Sequence, residues 1–107
     1  MALGEFEQMI LLAVLHLGDD AYGVSIVDAI EERSGRPVSR GSLYVTFDRL
    51  EAKGYITSKL GLAGEARRGK QRRYITVTKK GLTALREARQ ALLGMWQGLE
   101  PILETTR

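Results

Sequence analysis

A chain of 107 residues has room for one domain around one modest core. Its 44% hydrophobic and 27% charged residues are ordinary for a globular protein, and the absence of cysteine excludes a disulfide framework and a thiolate metal site. The net charge of +3 is unevenly placed: Ser58–Arg73 holds six basic residues and one acid, a local +5 that leaves −2 for the rest. A concentrated patch of that kind points to an anionic partner at one surface.

The amino end lacks the layout of a signal peptide. Its apolar run, Met9–Leu17, is about half the roughly 20 residues that a membrane span needs, so no membrane partner is expected. A cysteine-free chain of this kind fits the cytoplasm.

Phe6, Met9, Ile10, Ala13, Val14 and Leu17 follow helical spacing and predict a first helix with that stripe in the core. Leu11, Leu12 and Leu15 fall on the opposite side. A helix apolar nearly all round must be covered twice, which makes these three leucines candidates for contact with a second subunit. Gly18-Asp19-Asp20 ends this helix, and a second is predicted from about Tyr22 to Ser34, stopped by Gly35. Ser39 is placed to cap a third helix from about Arg40 to Lys53, with Leu43, Phe47 and Leu50 inward and Gly54 as its stop.

Beyond Gly54 the pattern changes to short β-prone runs, Tyr55–Leu60 and Gln71–Thr78, joined by the Gly- and charge-rich stretch Gly61–Lys70. This reads as a β-hairpin with a long tip. Thr78 then caps a last helix reaching past Leu99, with Leu82, Leu85, Leu92, Trp96, Leu99 and Leu103 at coiled-coil steps if Arg89 fills the missing seam position. Gly98 and Pro101 predict fraying or a kink near Gln97–Pro101. The expected fold is mainly α with a small β-hairpin: a winged helix-turn-helix in residues 1–78, and a C-terminal dimerisation helix and tail in 79–107.

In that order of elements the third helix holds the recognition position, with its amino end toward base edges in a major groove. Arg40 and Arg49 can reach guanine or phosphate, Ser39 and Ser42 stand at the same end, Val45 can touch a thymine methyl, and Gly41 permits close backbone approach. Tyr22 and Tyr44 have hydroxyls suited to phosphate, although tyrosines beside helix packing more often bury the ring. Asp48 fits poorly beside phosphate unless it pairs with a neighbouring arginine or accepts from a cytosine amino group. Arg67, Arg68, Lys70, Arg72 and Arg73 form a basic tip whose ordering entropy phosphate contacts can offset.

Leu3-Gly4-Glu5-Phe6-Glu7-Gln8 leads into the first helix and Ala21-Tyr22-Gly23 opens the second. Gly41-Ser42-Leu43-Tyr44, Arg49-Leu50-Glu51, Lys53-Gly54-Tyr55-Ile56, Arg73-Tyr74-Ile75, Thr78-Lys79-Lys80-Gly81 and Leu82 follow in register. Over about Leu3 to Leu92 this chain resembles a PadR-family transcriptional regulator, and with its single last helix it is similar to the compact branch of that family. The resemblance implies a dimeric winged helix, in which the last helix completes the dimer with the first, and usually repression of nearby genes.

The dimer seam is expected from Leu11, Leu12, Leu15, Leu85, Leu92, Trp96 and Leu99. In some family members an aromatic cavity there binds flat apolar ligands, which Trp96 and Met95 are positioned to line, although simple packing is the commoner role for such residues. His16 is the single histidine, and no metal spacing, phosphate-cradling loop or catalytic triad is present, so neither enzyme activity, metal nor cofactor is expected. The leading expectation is a homodimeric, sequence-specific repressor on a pseudo-palindromic operator in double-stranded DNA. Its rivals are a winged-helix protein-interaction module and a regulator released by an apolar effector.

Overall fold

The computed structural model describes residues 3–62 and 71–105. Three helices come first: α1 (Glu5–Leu17), α2 (Gly23–Ser34) and α3 (Arg40–Ala52), with a single 3-10 turn at Gly18–Asp20 between α1 and α2. An antiparallel hairpin of β1 (Ile56–Leu62) and β2 (Gln71–Val77) follows, then α4 (Lys79–Trp96) and the short α5 (Glu100–Thr105).

The helix ends obey the local chemistry of their residues. Ser39 leaves helical geometry (φ −86°, ψ 142°), and its Oγ accepts from the Ser42 N–H at 3.1 Å. Thr78 does the same for Gly81 at 3.0 Å. Gly35 closes α2 in the left-handed region at φ 75°, where a side chain would be strained.

The core lies where the three helices meet the base of the hairpin. Ile10, Leu11 and Val14 of α1, Ile26 and Ile30 of α2, and Leu43, Phe47 and Leu50 of α3 close over Ile56 and Ile75. Leu11 is therefore corrected: expected on the subunit face, it is 0% exposed inside its own chain. The physical reason is that α1 is packed by α2, β2 and α4 together, so its buried sector is wider than one helical stripe. Leu12 and Leu15 do remain half-exposed, at 47% and 48%.

The hairpin register sets Ile56 opposite Val77 and Leu62 opposite Gln71. The Ile75 N–H donates to the Ala21 carbonyl at 2.9 Å, so β2 also pairs with the chain entering α2. That bond fixes the hairpin against the helix pair.

Within α4 only Gly81 and Leu85 are buried. A Cβ on Gly81 would lie 2.3 Å from the Tyr55 carbonyl, so glycine is what lets α4 start this close to the hairpin. The rest of α4 projects, and the molecule measures 54 × 30 × 22 Å. The expected break appears as a kink rather than fraying. Gln97 turns extended (ψ 127°), Gly98 is left-handed (φ 87°), and Pro101 sits in the first turn of α5, where a missing N–H costs nothing. Among the described residues no helix is long and apolar enough to cross a membrane.

Candidate nucleic-acid interface

The outward face of α3 is built from its amino end. Capping by Ser39 leaves the Arg40 and Gly41 N–H groups outside the helix's own hydrogen-bond ladder, in a positive end-field suited to phosphate. Ser39 also donates its O–H to Ser42 Oγ at 2.9 Å, which leaves the Ser42 O–H to donate outward. Ser39, Arg40, Gly41, Ser42 and Val45 are exposed together, Val45 at 59%. Arg49 is exposed on another side of the helix, close enough to Glu7 of α1 for its charge to stabilise that carboxylate. Arg40 and Arg49 are thus not brought to one point.

Tyr44 stands partly exposed, edge-on to Phe47 at 5.5 Å between ring centres. Its hydroxyl fills the space where a side chain on Gly23 would begin, 2.4 Å from that Cβ position. Glycine after Tyr22 is what allows the α3 tyrosine to lie against the start of α2. Tyr22 is turned toward the hairpin. Its ring meets Tyr74 edge-on at 5.8 Å and carries the Arg72 guanidinium 4.0 Å above it. Arg72 thereby ties the hairpin to the helix pair. Arg67, Arg68 and Lys70 lie outside the described residues.

Arg73 has a use that the charge count concealed. Its guanidinium bonds Glu51 at 2.7 Å and Ser58 at 3.0 Å and lies 3.2 Å from the Asp48 carboxylate. Ser58 in turn donates to Glu51 at 2.8 Å. Hydrogen bonds from Ser58 and Arg73 hold the Glu51 carboxyl below its ordinary range. Part of the local +5 is therefore spent on the acids of α3, and Arg73 compensates the charge of Asp48 and Glu51. The signal was present in the sequence as two acids three apart on one helix face, but it needed the hairpin register to be read.

Glu7 was also missed. Although buried, it accepts from Gly4 N–H at 2.8 Å and from Lys53 Nζ at 2.9 Å, tying the start of α1 to the end of α3. Burial pushes its pKa up, but Gly4, Lys53 and the field of Arg49 together outweigh that and hold it below the ordinary value.

Away from this face, Leu12 and Leu15 of α1 and Leu82, Leu85, Leu92, Leu93 and Trp96 of α4 line an open apolar groove of about 480 Å³. Leu99 lies past the end of α4, and Met95, 76% exposed, is not part of the groove wall. Trp96 and Met95 are therefore not brought together.

Two helices joined by a tight turn, the second exposed at its amino end and flanked by a two-stranded hairpin, define a winged helix-turn-helix DNA-binding protein. Residues 11–87 match the model of the transcriptional regulator PadR-like family, and the chain belongs to that family.

Solved structures agree. A PadR-family regulator from Eggerthella lenta is 29% identical, with a TM-score of 0.65 over 92% of this chain and 87% of that one. A PadR-family regulator from Clostridium difficile R20291 is 24% identical with a TM-score of 0.70, covering 92% and 98%. A transcriptional regulator from Clostridium thermocellum is 25% identical with a TM-score of 0.67, covering 94% and 92%. Among curated proteins there is no match. The chain is a DNA-binding transcriptional regulator of the PadR-like family.

Proposed function

We propose that two copies of this chain form a two-fold dimer that represses transcription by occupying a pseudo-palindromic operator. The observation that carries the dimer is the groove between α1 and α4, where Leu12, Leu15, Leu92, Leu93 and Trp96 stand half-exposed on adjoining helices. Apolar side chains grouped in this way favour a protein partner over water. Residues 1–78 carry the reading of DNA and 79–107 the subunit contact, with Leu85 serving the core and the groove alike.

Each α3 enters a major groove with Arg40, Gly41, Ser42 and Val45 at base edges, while Tyr44 and Arg49 contact the flanking backbone. Arg67, Arg68 and Lys70 supply sequence-independent affinity. Two-fold symmetry sets half-sites roughly 10 bp apart, or a multiple of that. A bound dimer then blocks polymerase by occupancy alone.

Footprinting on the upstream region of its own gene, with transcript levels in a deletion strain, tests this reading. Protection of two half-sites and a raised transcript are expected. A lowered transcript would make the protein an activator, and failure to bind any duplex at low salt would leave a protein-interaction module. The groove volume supports a second reading, since it falls in the range of small-molecule sites. Quenching of Trp96 by flat aromatic compounds, together with release from DNA, is the result that would establish an effector.

A further inference from the structure

Across the ridge formed by Leu12 lies a second apolar hollow, between α1 and α2, of about 220 Å³. Ala13, Ala29 and Ile30 give it a low floor, and His16 and Arg33 stand at its rim. Leu12 lines this hollow and the α1–α4 groove alike, so the two surfaces are continuous. Arg33 is exposed and makes no ion pair among the described residues.

The chemistry of α5 is the complement of this hollow. Leu99 and Leu103 are four residues apart and half-exposed, and Glu100 and Glu104 repeat the same step beside them. An apolar pair bordered by two carboxylates matches an apolar slot rimmed by arginine and histidine. The elbow at Gln97 and Gly98 gives α5 a direction of its own, and the Gly98 N–H donates to Glu100 at 3.1 Å.

We propose that α5 of one copy seats Leu99 and Leu103 in the α1–α2 hollow of a second copy, with Glu104 toward Arg33. The inference rests on the homodimer reading above. Chain geometry permits it: a helix α4 laid in the partner groove ends at Trp96, and a turn closed by the Leu99 N–H on the Trp96 carbonyl at 2.9 Å sets Leu99 within about 7 Å of it, a step comparable to a ridge one leucine wide. The kink is then a working part of the dimer, because it turns α5 out of the line of α4.

The lack of native cysteine makes the test direct. Single variants Ala29→Cys and Leu103→Cys are mixed, allowed to exchange subunits and mildly oxidised, and the double variant is oxidised alone. Expected are a covalent dimer in the mixture and none when Val24→Cys, on the other side of α2, replaces Ala29→Cys. Sedimentation measures the dimer dissociation constant in parallel. Arg33→Glu should raise it about two- to fivefold, and Glu104→Arg should reverse that loss in the Arg33→Glu background.

A dimer by sedimentation without the mixed cross-link overturns the seating of α5 and leaves the dimer standing. An intramolecular disulfide in the double variant also overturns it, because α5 then covers the hollow of its own chain. A monomer by sedimentation removes the homodimer reading and this inference together.

Discussion

Arg73 of β2 and Asp48 of α3 lie 3.2 Å apart, and the same guanidinium bonds Glu51 one helical turn further on. The pair joins the hairpin to α3 and compensates negative charge on the helix proposed to read DNA. Arg73→Ala should therefore weaken operator binding about tenfold at fixed salt, and Asp48→Asn should recover much of the loss, a coupling of about 1 kcal/mol. Fluorescence anisotropy with the four proteins of this cycle measures it. Absence of rescue would make Arg73 a direct phosphate contact.

Gly41 is a glycine that the fold itself does not need, since a Cβ there meets nothing within 4 Å. Gly41→Ala should leave stability unchanged or raise it by up to about 1 kcal/mol, because alanine is the better helix former. Operator affinity should nevertheless fall, as the methyl group holds the helix off the base edges. Urea unfolding and a shift assay on the same preparation separate the two effects. Unaltered affinity would place the Gly41 backbone away from DNA.

Gly23 is the opposite case. Alanine there would collide with the Tyr44 hydroxyl, so Gly23→Ala should cost about 1–3 kcal/mol by urea unfolding. Adding Tyr44→Phe removes the nearest atom, and the double variant should regain part of the stability. No recovery would show that α2 itself, rather than Tyr44, resists the substitution.

Glu7 sets a pH dependence with a definite sign. Its folded pKa is depressed, so its contribution to stability is fully present above the unfolded value near 4.5 and is lost as pH falls through the lower folded value. Urea midpoints measured from neutral pH downward should drop below about pH 4.5. Glu7→Gln should start less stable at pH 7 and show a shallower acid limb. Parallel curves for the two proteins would remove Glu7 as a source of the acid response.

The element order and most of the boundaries were legible because local chemistry set them. Ser39 and Thr78 cap, Gly35 and Gly54 stop, and Leu43, Phe47 and Leu50 recur at helical spacing whatever surrounds them. The kink at Gly98 and Pro101 belongs to the same class. Leu11 was misplaced because a helical wheel shows angles around one helix and not how many neighbours pack against it. Arg73 was counted with the basic tip because net charge along a sequence cannot show which charges meet.

The sequence by itself thus determined a three-helix, hairpin, helix chain with a basic hairpin and a capped, glycine-bearing recognition helix. Those features follow from backbone propensity and spacing, which act over a few residues. Only the tertiary structure decided that Arg73 serves Asp48 and Glu51, that Gly23 makes room for Tyr44, and that Leu12 divides two apolar surfaces. Each of these joins residues 20 or more apart in the chain or on different helices, and only packing brings them within the few ångströms over which ion pairs and van der Waals contacts operate.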